Sequence, residues 1–159
     1  MVNINWCFKQ KDGIKLIEHN DNLVNGYIKM AEDAFGTMNR EKSYSLRFSV
    51  SACYYSMYYS LYAILMRIGI KCEIHSCTLK FMEEFLSEFY SKEEIIVISK
   101  VFDCRNTIQY YVDRAVQKND SDLIISGSPF FHSKSKEILG KLNEGQIKII
   151  REKIGKYGK

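Results

Sequence analysis

Along residues 94–118 the apolar side chains recur at helical spacing. At about 100° per residue, Val97, Ile98, Val101, Cys104, Ile108, Val112, Ala115 and Val116 share one side. Arg105 stands inside that apolar face with Gln109 one turn along, while Asp103, Asn106, Tyr110, Asp113 and Arg114 line roughly the opposite side. Ser91 followed by Glu94 has the form of a capping box and opens this helix. The same periodicity predicts a helix over 21–38, capped by Asp21 or Asn22, with Leu23, Tyr27, Met30, Ala31, Ala34 and Phe35 apolar. A long helix follows over 42–68, stopped by Gly69, which suits a left-handed C-terminal cap. Tyr44, Phe48, Tyr55, Tyr58, Tyr59 and Tyr62 fall on one broad face of it, and Cys53, Met57, Leu61 and Ile64 on another. A helix apolar nearly all round belongs at the centre of a bundle or in a subunit interface.

A third helix is expected over 77–90, burying Leu79, Phe81, Met82, Phe85 and Leu86. Beyond the Arg105 helix, KNDSD reads as a turn, Ile124 and Ile125 as a short helical piece, and Pro129 as the first turn of a helix capped by Ser128 and reaching Leu142. Asn143 can cap a last helix through Ile154. No segment alternates apolar and polar residues convincingly, so the expected class is all-α: an up-and-down four-helix bundle with one or two short appended helices. Residues 1–20 read as a poorly regular N-terminal arm, with Trp6 and Phe8 able to pack on the body, and residues 21–156 as a single bundle domain.

The chain has 159 residues, 46% of them hydrophobic, with a single proline, enough for one compact domain. Its 23 Lys and Arg against 19 Asp and Glu leave a net charge of +4, too modest to argue for nucleic-acid binding by itself. Much of the excess lies in residues 134–159, which read as a solvated lysine-rich face. The start, MVNINWCFKQKDG, lacks the form of a secretory leader, so a cytoplasmic location is expected. Residues 48–66 carry no charge, but their serines and tyrosines make them too polar for a membrane span. The five cysteines, Cys7, Cys53, Cys72, Cys77 and Cys104, are expected to be mostly reduced thiols. Cys72, His75 and Cys77 cluster, but their spacing matches no familiar zinc pattern. No Gly-rich phosphate loop appears, and neither metal nor cofactor is implied.

Candidate chemistry centres on Arg105, because a guanidinium in a helix seam is costly to bury unless an anion or a strong acceptor meets it. One reading is a polar or anionic ligand, for which Asn106 and Gln109 add neutral hydrogen-bonding groups. The other is a structural ion pair with Glu73, Glu83, Glu84 or Asp103 of a partner chain. Tyr110 and Tyr111 suit either aromatic packing or a stacking surface for a base. His75, at the mouth of the third helix, either bonds the preceding link or serves chemistry; His19 and His132 read as surface residues.

Three blocks together resemble the HEPN family, the all-α domain named for higher eukaryotes and prokaryotes nucleotide-binding. They are SACYYSMYYSLYAILMRIGIKCEIHS over 51–76, the succession of helix lengths from about 20 to 150, and RNTIQYY, which stands where the family has its signature segment. The resemblance implies a four-helix bundle that forms a homodimer with the two signature segments facing each other. It also implies either nucleotide binding or metal-independent RNA cleavage, often as a toxin paired with a minimal nucleotidyltransferase. The nuclease signature is an arginine, commonly followed by Asn, with a histidine four to six positions on. This chain keeps Arg105 and Asn106, but has Tyr110, Tyr111 and Val112 at the histidine positions. Tyrosine, with a pKa near 10, is a poor base, whereas arginine still clamps phosphate through its planar fork. Binding of a nucleotide or RNA phosphate by Arg105, Asn106, Gln109, Tyr110 and Tyr111 is therefore expected ahead of catalysis, which would need Tyr110 or His75 to stand in for the histidine beside Arg105 and Asn106. A third possibility is a non-catalytic interaction subunit of a nucleotidyltransferase. In HEPN toxins silenced by AMP transfer, a tyrosine near the signature is the acceptor, which would give Tyr110 another role.

Overall fold

The computed structural model of the chain describes residues 2–111, 113–114 and 118–157, with only the backbone described over 118–120. Its elements run α1 (Ile4–Lys9), β1 (Lys15–Leu16), α2 (Asp21–Glu41), α3 (Leu46–Ile68), β2 (Ile70–Lys71), α4 (His75–Phe85), α5 (Lys92–Tyr110), α6 (Lys118–Lys141) and α7 (Glu144–Gly155). The fold is all-α. Helices α2, α5 and α6 pack around α3, while α1, α4 and α7 are appended and β1 pairs antiparallel with β2.

The central place of α3 follows from its sequence. Val50, Cys53, Met57, Leu61, Ala63, Ile64 and Leu65 are buried without residual exposure, and so are Ser49, Ser56 and Ser60. The serines leave room for neighbouring helices, and two of them donate to main-chain carbonyls: Ser49 to that of Met38 at 3.0 Å and Ser60 to that of Ser56 at 2.7 Å. Ser45 caps the start of α3, and Gly69 ends it in the left-handed conformation, φ 79°. Arg151 of α7 then donates to the carbonyls of Ile17, Ile68 and Gly69, tying α7 to the end of α3. A side chain at Gly69 would collide with that guanidinium.

The Ser91–Glu94 capping box opens α5 as expected, and Asn143 with Gln146 forms another at α7. Elsewhere the boundaries differ. Asn20, not Asp21 or Asn22, caps α2. The third expected helix is α4, shorter and outside the four-helix core. α5 ends at Tyr110, where the Arg47 guanidinium takes up the Ile108 carbonyl; Val112, Ala115 and Val116 lie outside the described residues.

The fourth core helix is α6, which runs unbroken through KNDSD and Pro129 where a turn and a fresh helix start were expected. Its buried residues explain this. Ser121, Ile124, Ser128, Phe131, Ser135, Ile138 and Leu142 recur with alternating steps of three and four along the seam facing the core. The serines let α6 approach α3 closely, so that Cys53 Sγ meets the Ile124 carbonyl at 3.4 Å and Ser60 meets His132 Nδ1 at 2.7 Å. His132 is therefore part of the α3–α6 contact, stacked on Phe35, and not a surface residue; His19 is exposed.

The N-terminal arm is also more ordered than expected. Cys7 and Cys77 form a disulfide that ties α1 to α4, which corrects the expectation for two of the five cysteines; the buried Cys53 and Cys72 are thiols. Gly13 permits the approach, because a Cβ there would overlap the Cys7 carbonyl. Phe8 stacks on Tyr157 and meets Phe85 edge-on, whereas Trp6 stays 44% exposed. Disulfides persist in oxidising compartments and in the cytoplasm of some hyperthermophiles. Among the described residues no helix is long and apolar enough to cross a membrane.

The bridge joins residues 70 apart, a loop for which the chain-entropy relation gives about 4 kcal/mol of stabilisation. Urea unfolding of the oxidised protein, against the reduced one and the Cys7→Ser/Cys77→Ser double variant, is expected to show a loss of that order. Superimposable curves would mean that the tether contributes nothing.

Candidate functional site

α5 packs against α3, and this contact brings the Arg105 side chain onto the tyrosines of α3. Arg105 is 9% exposed. Its Nη2 donates to the Tyr55 hydroxyl at 2.7 Å and its Nη1 to Asn106 Oδ1 at 2.9 Å. The guanidinium carbon lies 5.7 Å from the centre of the Tyr54 ring, 5.5 Å from that of Tyr55 and 5.9 Å from that of Tyr110, within range of cation–π attraction. Its Nε is buried with no hydrogen-bond partner.

Among the described residues no carboxylate pairs with this cation. Within the chain, Glu73 is held by Lys71 at 2.7 Å, and Glu83 and Glu84 by Lys80 at 2.9 and 2.8 Å. Asp103 is exposed and forms no salt bridge among the described residues. Neutral oxygens and ring faces stabilise a guanidinium less than a carboxylate does, so the positive charge is only partly compensated.

His75 joins the same cluster, as the first residue of α4. Its ring lies 4.2 Å from that of Tyr58, nearly parallel, and its Nδ1 is 2.7 Å from the Tyr54 hydroxyl. It therefore bonds α3 and not the preceding link. Burial raises the Tyr54 pKa, so the phenol keeps its proton, and the direction of its hydrogen bond with Nδ1 follows the imidazole tautomer. Burial, and secondarily the charge of Arg105, lowers the His75 pKa. Both effects favour a neutral ring.

Of the residues singled out from sequence, the structure thus gathers Arg105, Asn106, Tyr110 and His75. It leaves two apart: Gln109 is exposed, and Tyr111, the residue after α5, lies against Arg114, whose guanidinium is 4.3 Å from its ring centre. Tyr54, Tyr55 and Arg47 belong to the site as well. The tyrosine stripe of α3 carried the signal for Tyr55 but did not include Tyr54, and nothing in the sequence specified which tyrosines would meet Arg105.

Beside the cluster, α2 and α3 enclose an open groove of about 570 Å³. Met30, Asp33, Ala34, Thr37 and Glu41 line it from α2, and Phe48, Ser51, Ala52, Tyr55 and Tyr59 from α3. Tyr55 is common to both features. The lysines of the C-terminal part lie mostly on solvent faces, some paired with carboxylates: Lys136 with Glu32, Lys141 with Glu137 and Lys153 with Glu88. No group of described residues is arranged to hold a metal ion, and Cys77 is committed to its disulfide. The sequence matches no family model, and comparison with curated proteins gives no match.

The lowered His75 value has a definite sign. The unfolded chain takes up the proton first as pH falls, so the stability contributed by neutral His75 is complete above its unfolded pKa of about 6.5 and is lost as pH drops towards the folded value. NMR titration of the His75 ring is expected to give a midpoint below that ordinary value, moving upward in Arg105→Gln. A midpoint that ignores the substitution would show that the two groups do not sense each other.

Proposed function

We propose that the chain is a HEPN-like protein that binds a phosphate group of a nucleotide or RNA through Arg105, at a cleft near the interface of a homodimer. The observation that carries this reading is the buried guanidinium, whose Nε has no hydrogen-bond partner and which pairs with no carboxylate among the described residues. A phosphate supplies the missing negative charge and enough acceptor oxygens to satisfy such a group. Asn106 and Tyr55 orient the fork, and Tyr110, which is 67% exposed, offers a face for stacking. A partner chain covering the largely exposed Tyr110 would exclude water from the bound anion and strengthen its attraction to Arg105. A minimal nucleotidyltransferase is the proposed partner protein, in a system of toxin–antitoxin type.

A second reading, metal-independent RNA cleavage, draws support from the neutral imidazole of His75 near Arg105. Binding is the stronger reading, because one of the two ring nitrogens of His75, Nδ1, is already engaged with the Tyr54 hydroxyl and stacking on Tyr58 holds the ring in place. Tyrosine is a poor general base, so Tyr110 does not replace it.

Fluorescence anisotropy with a labelled single-stranded oligoribonucleotide, and gel analysis of a mixed RNA pool in excess chelator, separate the two. Binding is expected to weaken by about tenfold or more in Arg105→Gln, the scale of a lost charge-assisted phosphate contact, with the pool left intact. Cleavage that depends on both Arg105 and His75 would favour the nuclease; binding unaffected by Arg105→Gln would end both readings.

A further inference from the structure

We propose that the groove between α2 and α3 is a ring subsite: it takes a planar, amine-bearing heteroaromatic ring joined to the anion held by Arg105. The inference rests on the Arg105 reading above and adds which part of the surface recognises the rest of the ligand.

Continuity comes from Tyr55. Its ring forms part of the groove wall, its hydroxyl accepts from Arg105 Nη2 at 2.7 Å, and the guanidinium carbon is 5.5 Å from the ring centre. A ligand anchored on Arg105 therefore has the groove on the other side of a single side chain. At about 570 Å³ the groove falls in the size range of small-molecule sites. Phe48 and Met30 keep 65% and 44% of their surface in solvent there, so the groove presents a flat aromatic face and a polarisable thioether to an incoming ring.

Charge then narrows the chemistry. Asp33 and Glu41 stand on the α2 wall, facing the tyrosine wall of α3, and neither forms a salt bridge among the described residues. Carboxylates accept hydrogen bonds from exocyclic amino groups and sugar hydroxyls, and they repel a second phosphate. The complementary ligand has one anionic group at the Arg105 end, an aromatic body and an amine at the far edge. A nucleoside monophosphate with an amino-bearing base has that form; a base without an exocyclic amine leaves the carboxylates unanswered.

Isothermal titration with AMP, UMP, ribose 5-phosphate and inorganic phosphate tests this on the wild type, Phe48→Ala, Met30→Ala, Asp33→Asn and Arg105→Gln. The expected result is AMP tighter than ribose 5-phosphate by about tenfold or more, with UMP between them. Phe48→Ala or Met30→Ala should reduce that advantage and leave ribose 5-phosphate unchanged, and Asp33→Asn should narrow the gap between AMP and UMP. Phe48 and Met30 are exposed enough that their truncation spares the core, and circular dichroism checks that the variants fold. If AMP and ribose 5-phosphate bind equally, or if the AMP advantage survives both truncations, the ring lies elsewhere and the subsite is overturned while phosphate binding at Arg105 stands. If none of the four ligands binds, or binding ignores Arg105→Gln, the Arg105 reading fails and the subsite falls with it.

Discussion

A helix that is apolar on every side can be stable in water only if other elements cover it all round, and α3 imposes that requirement on the rest of the chain. α2, α5 and α6 meet it from three directions. Close approach is possible because α3 carries buried serines at 49, 56 and 60 and α6 carries them at 121, 128 and 135. The same requirement positions the candidate site. With α5 packed on the tyrosine side of α3, a basic residue in the α5 seam can only lie among aromatic rings and phenolic oxygens.

Arg105 is that residue, and its surroundings differ from those of a structural salt bridge. A buried ion pair offsets the desolvation of each charge with the other; here two neutral acceptors and three ring faces meet the guanidinium while Nε has no partner. Such an arrangement stabilises the folded protein poorly compared with an apolar side chain of similar volume, yet it holds the guanidinium fork in one orientation. His75 is consistent with this. The positive field of Arg105 adds to burial in holding its ring neutral, so the cluster does not gain a second cation.

Much of the fold was legible in local sequence signals. The caps at Ser91 and Asn143, the stop at Gly69 and the all-round apolarity of α3 are local properties, and they appear where the local chemistry predicts them. The misreadings share a cause: a tertiary contact outweighed a local signal. Pro129 and KNDSD suggest interruptions, but the seam of α6 alternates serine with large apolar residues, and counting serine as polar hides its period. Cys7 pairs with Cys77 across 70 residues, a contact that no local pattern contains. Half of the site was visible in the same way. Arg105 and Asn106 are adjacent, and Tyr110 lies little more than a turn further on, so a helix brings them together. Tyr54 and Tyr55 come from a different helix, and Gln109, which the helical projection placed near Arg105, points into solvent.

The central claim is that Arg105 is a buried cation poised for an anion and not a structural strut. Thermal unfolding of the wild type and of Arg105→Met, each in phosphate-free buffer and in excess inorganic phosphate, tests it directly. Without phosphate the variant should be at least as stable as the wild type, since methionine fills the volume without a charge to desolvate. Saturating phosphate should then stabilise the wild type alone, by about 2.7 kcal/mol at 100 times its Kd. A variant that is much less stable without phosphate, together with a wild type that phosphate leaves unmoved, would contradict the account and make Arg105 part of the scaffold.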